Sequence, residues 1–589
     1  MGYQIGHDGI THGGDIIGAV LHEHGVRHLF TLCGGHISPI LVGAKKRGIE
    51  IIDMRGEANA VFAADAVARM TGIPGVAAVT AGPGVTNAVT AVKNAQMAQT
   101  PLLIFGGATA TILKGRGSLQ DIDQLSLMTP ITKWATSVKT VANIGPTVEK
   151  ALALSMAGVP GPVFIEVPLD LLYPEELVRE MFMKESGADK GESLGAKALG
   201  LYLRGHVLRQ FHGPRTVYDI PKPQLRMPLS SDAEQQVAQA VEMLRNAKRP
   251  ALVVGNQTMV NCREPERIAD AIRSLGIPTF LGGAARGLLG RHSDVQFRHK
   301  RSAALKEAEV VVVAGFPFDF RMKYGRGFGA QTKVIAANLS YSELRKNRRP
   351  DLAVQMAPAD FLVDLARQLG GPSPRPDWFA KVRGREDARD AEIEGMRAPK
   401  GELVNPIDFF LRLEEKLADD SVLVVDGGDF VATGAYILRP RSPLSWLDPG
   451  VFGTLGVGGG FGVGAAALRK DAEVWIIYGD GSSAYSIAEF DTCVRHGLAP
   501  IAVVGTDGLW AQIARDQVDL LGDDVGTTLL RTDYHEVAKG YGGVGLLLTD
   551  PKDIDAKLDE AKAIRATGKP VLLNVHIEGT DFRKGSISV

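Results

Sequence analysis

The sequence predicts an α/β protein built from three doubly wound parallel-sheet domains, and three observations lead there. Short apolar runs rich in Val, Ile and Leu alternate with helical stretches, the rhythm of strands whose two faces are both covered by helices. That rhythm occurs in three blocks along 589 residues, a chain too long for a single core. Two interruptions rich in charge, Gly and Pro, at 184–231 and 371–402, separate the blocks.

The first block, residues 1–183, holds apolar runs at 28–32, 50–53, 76–79, 102–105 and 163–167. Between them, 59–70 and 85–98 are rich in Ala and free of Pro and Gly, which favours helices. The stretch 184–231 reads as a linker, with an amphipathic helix expected near 199–211. The central block, 232–370, has runs at 251–254, 310–313 and 334–337 and carries Arg286, Arg291, Arg298, Lys300, Arg301, Arg321, Lys323 and Arg326. These cations form either a solvated basic face or an anion or nucleotide site, and the sequence leaves both open. Beyond the second, charged linker at 371–402, the third block, 403–589, repeats the first, with runs at 422–425, 474–478, 501–504 and 571–575.

Composition narrows the function classes. With 66 Lys and Arg against 67 Asp and Glu, the chain gives no reason to expect a nucleic acid or membrane surface as partner. Cys33, Cys262 and Cys493 lie far apart, without metal-ligand spacing, and support no disulfide framework. No run approaches the roughly 18 apolar residues of a membrane span, and no basic segment leads into an apolar one at the start, so a soluble protein of the cytoplasm is expected. His24 and His28 stand four apart and could share a helix face, but no acid or cysteine completes a metal set. Neither a Gly-x-Ser-x-Gly elbow nor a P-loop occurs.

The chemistry concentrates after the strands. Gly479-Asp480-Gly481-Ser482 follows the run 474–478, and Asp507 follows the run 501–504. Carboxylates so placed stand at the carboxyl edge of a sheet, where a hard cation and main-chain N–H groups can share a phosphate. Each acid alone is equally an ordinary turn residue. Before them lies a glycine-rich run, 451–468, in which Leu455, shortly after Gly453, is the bulky side chain of the approach. The glycines let a backbone come close to a flat ligand, and Leu455 is either a functional wedge or plain core. Gly460-x-Gly462-x-x-Ala465 fits a dinucleotide fingerprint only formally, since no strand leads into it. In the first block, Glu57 opens a helix after a strand, Thr80-Ala-Gly-Pro-Gly-Val-Thr-Asn87 makes a tight turn into another, and Gln120 lies in Gly-Ser-Leu-Gln-Asp. Helix-start and turn chemistry would explain each singly.

Together these residues resemble the acetolactate synthase-like superfamily of thiamine diphosphate enzymes along nearly the whole chain. The family's diphosphate motif matches Gly479-Asp480-Gly481 and, further on, Thr506-Asp507. Its activating glutamate falls on Glu57, its Gly-Pro-Gly-x-Thr-Asn on Gly82 to Asn87, its active-site glutamine on Gln120 and its cofactor-bending wedge on Leu455. The runs 113–125, 298–306 and 505–517 and the tail 584–589 look most like the 2-hydroxyacyl-CoA lyase branch. Asp507 departs from the family's asparagine, and the tryptophan that acetolactate synthases carry beyond it is replaced near Asp516 and Gln517.

The resemblance implies a three-domain protein: pyrimidine-binding (1–183), central (232–370) and diphosphate-binding (403–589). It implies Mg²⁺ on Asp480, Asp507 and the carbonyl of Leu509. The diphosphate is expected on Gly481, Ser482 and the loop Gly428-Asp429-Phe430. Trp510 is expected beside the cofactor, Leu455 beneath its bend, Glu57 on its pyrimidine ring, and Gln120 on the substrate adduct. The implied activity is cleavage of 2-hydroxyacyl-CoA to formyl-CoA and an aldehyde or ketone. Acetolactate synthesis from 2-ketoacids is the alternative, and a non-catalytic binding or regulatory subunit is an alternative of another class. A homodimer or homotetramer with sites between subunits is implied, together with CoA or ADP, or less fittingly FAD, in the central domain.

Overall fold

A computed structural model describes residues 9–187, 193–213, 232–372 and 374–584. The chain forms two compact units: Arg69–Gly72 with the residues from 225 onward make one, and the remaining residues before 225 make the other. In the latter, strands β1 (His28–Thr31), β2 (Glu50–Asp53), β3 (Gly75–Val79), β4 (Leu102–Ala108), β5 (Trp134–Ser137) and β6 (Pro162–Pro168) form one parallel sheet, ordered β2-β1-β3-β4-β6-β5. Every residue of β3, β4 and β6 is buried, as helices on both faces require.

The other unit holds two sheets. Its first has strands β7 (Pro250–Val254), β8 (Thr279–Leu281), β9 (Gln296–Phe297), β10 (Val310–Ala314), β11 (Lys333–Ala337) and β12 (Leu352–Val354), ordered β12-β11-β10-β7-β8-β9. Its second has β13 (Val422–Val425), β14 (Trp446–Leu447), β15 (Val474–Gly479), β16 (Ile501–Thr506), β17 (Val544–Leu548) and β18 (Val571–His576), ordered β14-β13-β15-β16-β18-β17. Counted within each sheet, the first and third share one strand order and the central sheet has another. The like build expected of the outer blocks is thus present in their topology. In the third sheet the chain reverses its direction of travel between β13 and β15, and loops leaving the carboxyl ends of those strands open a crevice for ligands.

All the strands expected from apolar runs are present. The additional ones are β5, β8, β9, β12, β14 and β17, and five of these six lie at sheet edges. An edge strand is covered less completely, so it needs no continuous apolar run to announce it. His24 follows the helix Gly13–Glu23 as its cap, whereas His28 begins β1, so the pair shares no helix face.

The two interruptions carry structure. Within 184–231, the helix Leu194–His212 packs Leu203 and Val207 against Ala110, Val178 and Phe182, and Gln210 donates to Asp170 at 2.7 Å. Residues 188–192 and 214–231, like the tail from 585 on, lie outside the described residues. Within 371–402, the helix Pro376–Gly395 buries Trp378, Val382, Glu386 and Ile393, a thin stripe among charges. Trp378 and Val382 join Phe280, Phe297 and Ala304 over the β9 edge, and Trp378 Nε1 donates to Pro250 O at 2.8 Å. Among the described residues, no helix is long and apolar enough to cross a membrane.

Trp378→Ala is expected to destabilise the central domain by about 3–5 kcal/mol, the usual range for truncating a buried aromatic. Denaturant unfolding would show it as an earlier transition. A transition at the wild-type denaturant concentration would return 371–402 to a mere connection.

Candidate active site

The half that the resemblance assigns to the diphosphate is built on the third sheet, where β15 and β16 pair in parallel up to Gly479 and Gly505. Asp480, the first residue past β15, is buried, and its carboxylate accepts from Gly481 N and Gly508 N, each at 2.8 Å. Burial raises its pKa above the usual carboxylate value. Past β16, Asp507 accepts from Leu509 N at 3.0 Å, and burial, then the neighbouring Asp480, push its pKa up to about 7. Two desolvated carboxylates that face each other in this way offer hard oxygen donors, the chemistry that suits a divalent cation such as Mg²⁺.

Across the strand reversal, β13 ends in Asp426-Gly427-Gly428, and the helix Asp429–Ile437 follows. The main-chain N–H groups at that helix start are suited to a phosphate. Asp429 itself pairs with Arg515 at 2.5 Å. At the other end of the same helix, Arg286 donates to Ala435 O at 2.6 Å and Arg298 to Ile437 O at 3.0 Å, so two central-domain cations cap its C-terminus.

The glycine-rich run folds as a turn into the helix Val457–Leu468. Gly456 has φ +88°, a conformation that favours glycine. Further along, a Cβ on Gly458 would lie 2.4 Å from Tyr478 Cε1, and one on Gly462 would lie 2.3 Å from Ile476 Cδ1. These glycines therefore serve close packing of helix on strand, and the ligand-approach reading applies at most before the helix, where the space around Gly453 is open. Leu455 leans on Gly427: a Cβ there would lie 2.3 Å from Leu455 Cδ2.

The residues that the resemblance assigns to the pyrimidine ring belong to the other unit. Glu57, 9% exposed, opens the helix Glu57–Thr71, and Asn87 Nδ2 donates to its Oε2 at 3.1 Å. A Cβ on Gly84 would lie 2.9 Å from Thr80 Cγ2, so this glycine lets the turn pack on Thr80, beside the Glu57 carboxylate. Gln120 has φ +64° and packs its main chain against Gly82, where a Cβ would lie 2.8 Å from Gln120 O.

Several site residues were not singled out in the sequence. Gln124 accepts from Gly82 N and donates to Gly107 O and Glu166, tying the turn to β4 and β6. His36 Nδ1 lies 3.2 Å from Thr80 Oγ1. Asp426 accepts from Gly456 N at 2.9 Å and Gly458 N at 2.6 Å, and burial pushes its pKa up to about 7. The signal for Asp426 was present, since it follows its strand as Asp480 does and precedes two glycines.

Other expectations change in detail. The Gly481 N–H is taken by Asp480, and the Ser482 hydroxyl donates to Gly479 O and accepts from Gly479 N, both at 3.1 Å. The Phe430 ring is core, against Phe409 and Phe410, which leaves its main chain for a ligand. Trp510 lies against Gly481, where a Cβ would meet its ring at 2.4 Å. Of the central cations, Arg291 pairs with Glu414, Arg298 also with Asp390, and Arg321 with Asp319. At the central sheet's reversal between β7 and β10, the Phe316 ring packs over Gly255 and Gly282, where a Cβ would lie 2.6 and 2.7 Å from it.

Comparison with known proteins agrees with this geometry. Family models described as thiamine pyrophosphate enzyme, N-terminal TPP binding domain, central domain and C-terminal TPP binding domain match residues 11–127, 237–365 and 426–575. The chain belongs to this thiamine pyrophosphate (thiamine diphosphate) enzyme family. Within it, 2-hydroxyacyl-CoA lyase 2 of Danio rerio is 49% identical over 98% of this chain and 93% of its own length. The human 2-hydroxyacyl-CoA lyase 2 is 46% identical over 100% and 94%. An acetolactate synthase large subunit of Mycobacterium tuberculosis is 30% identical over 96% and 95%.

The raised pKa of Asp507 sets a pH dependence. A carboxyl that holds its proton more tightly folded than unfolded contributes stability that is present at low pH and lost as pH rises through its folded pKa, here about 7. Half-buried His36 and His576, whose pKa values are lowered by partial burial, act in the opposite sense, so the comparison must be with a variant. Without added cofactor or metal, Asp507→Asn should unfold at a temperature progressively above wild type from about pH 4 to about pH 7, with the difference level above that. Parallel thermal profiles across that range would contradict the assignment.

Proposed function

We propose that this chain is a thiamine diphosphate-dependent lyase that cleaves a 2-hydroxyacyl-CoA into formyl-CoA and an aldehyde or ketone, and that also runs the reverse condensation. The carrying observation is the near full-length match, at 44–49% identity, to proteins named 2-hydroxyacyl-CoA lyase 2, against 30% for acetolactate synthases. Thiamine diphosphate, when bound, supplies an electron sink for the carbon–carbon bond that breaks.

The chain's own residues supply the rest. Asp480, Asp507 and the Leu509 carbonyl would hold Mg²⁺, and the start of the helix Asp429–Ile437 with Gly428 would take the phosphates. Leu455 would bear on the cofactor from below and fix its bend. Glu57, its carboxylate oriented by Asn87, would hydrogen-bond the pyrimidine ring and move a proton there. Gln120 would orient the substrate. For the nucleotide end of the acyl-CoA, the exposed Lys323 and Arg326 beyond β10 offer charge that the internally paired cations do not.

We further propose a homodimer or homotetramer in the cytoplasm, with the glutamate half and the diphosphate half of each site coming from different subunits. Supporting this, the helix Ala511–Leu521 buries none of its residues, and Leu520 and Leu530 are 80% and 83% exposed. Apolar surface of that extent calls for a cover.

Incubated with thiamine diphosphate, Mg²⁺ and a 2-hydroxyacyl-CoA, the purified protein should release formyl-CoA, measured by mass spectrometry. Acetolactate from pyruvate with no formyl-CoA would overturn the reading. Glu57→Gln should slow turnover by about 10²-fold or more through loss of proton transfer, with the unfolding midpoint near wild type. Full activity in that variant would remove Glu57 from the mechanism.

A further inference from the structure

We infer that Asp426 is a positioning residue for Leu455, and that through Leu455 it sets the geometry in which the cofactor is activated. Asp426 stands at the end of β13, 3% exposed, and its hydrogen-bond partners are main-chain N–H groups. Its two oxygens divide the work: Oδ1 takes Gly456 N–H at 2.9 Å and Oδ2 takes Gly458 N–H at 2.6 Å. Both donors lie just past Leu455 in the chain. The next residue after Asp426, Gly427, seats the Leu455 side chain, because the missing Cβ leaves the space that Leu455 Cδ2 enters.

One strand end therefore holds Leu455 twice, by the peptides that follow it and by its side chain. Only a carboxylate offers two acceptors in a fork with no donor. An asparagine would turn its NH₂ toward one of the two N–H groups, and a serine would reach at most one. Gly456 reverses the backbone in the left-handed region, and the helix behind it packs against Tyr478 and Ile476, so the turn between strand end and helix is where Asp426 acts. A buried carboxylate is expensive to keep without a cation, and holding this turn is what its contacts accomplish. The inference rests on the placement of Leu455 beneath the cofactor, and a displacement of about 1 Å in such a support is enough to cost on the order of 10²-fold in rate.

The test compares Asp426→Asn, Asp426→Ser, Leu455→Ala and the double variant Asp426→Asn/Leu455→Ala in the full-length protein. Three quantities are read: thiamine diphosphate affinity by titration of tryptophan fluorescence, the rate of C2 proton exchange of the bound cofactor in deuterated buffer, and the thermal midpoint of the cofactor-free chain. Asp426→Asn and Leu455→Ala should each slow C2 exchange by on the order of 10-fold or more, and the double variant should be no slower than the worse single one. Losses that multiply in the double variant, or wild-type exchange in Asp426→Asn, would overturn the inference. Should Asp426→Asn fail to fold, Asp426→Ser takes its place in the cycle, with the same outcomes deciding. Wild-type exchange in Leu455→Ala would instead overturn the placement of Leu455. Neither readout needs an acyl-CoA, so an error in the assigned substrate leaves the test intact.

Discussion

Everything in the diphosphate half depends on burying carboxylates at the carboxyl edge of a parallel sheet. Asp426, Asp480 and Asp507 leave the adjacent strands β13, β15 and β16, and each is stabilised by main-chain N–H groups near the strand ends. Desolvation raises the pKa of all three. Two of them are close enough to raise each other's cost, and a hard cation is the partner that relieves it. The third is spent within the protein, on the turn that carries Leu455. Similar residues at similar strand ends thus divide into a carboxylate pair suited to a cation, as proposed, and a carboxylate whose contacts are the N–H groups of one turn.

The outer sheets apply one strand order to two tasks. In the first sheet, the loop after β3 turns into a helix beside Glu57; in the third, the loops after β13 and β15 leave carboxylates and helix-start N–H groups. The central sheet has a different order, and its cations work mostly within the protein. Arg286 and Arg298 cap the helix Asp429–Ile437, whose start is the proposed phosphate site, which ties the central domain to the third sheet. A clustering of arginines in sequence is therefore a poor guide to an anion site until their carboxylate and carbonyl partners are known.

Legibility followed burial and spacing. Strands covered on both faces read mostly as apolar runs, so the cores of the sheets were visible except for the three-residue β8, while the edge strands β5, β9, β12, β14 and β17 were not. The helix Pro376–Gly395 was hidden because Trp378, Val382 and Ile393 are its few apolar contacts in a charged stretch. Glu57, Asp480 and Asp507 were legible as a set spread over hundreds of residues, each ambiguous alone. Gln124 was hidden beside Gln120, since nothing in the run distinguishes the glutamine whose side chain ties the turn from the one whose main chain packs on it.

The sequence by itself determined the α/β class, the three sheets, the family and the residue types at the strand ends, because strand burial, helix composition and strand-end motifs are local properties. The tertiary structure decided which polar groups were already satisfied. It gave the Gly481 N–H to Asp480, the Phe430 ring to the core, the later glycines to Tyr478 and Ile476, and Asp426 to the Leu455 turn. Those outcomes depend on which atoms from distant segments come within hydrogen-bond or van der Waals distance. That distance is set by the packing of β13, β15 and the helix Val457–Leu468 against one another.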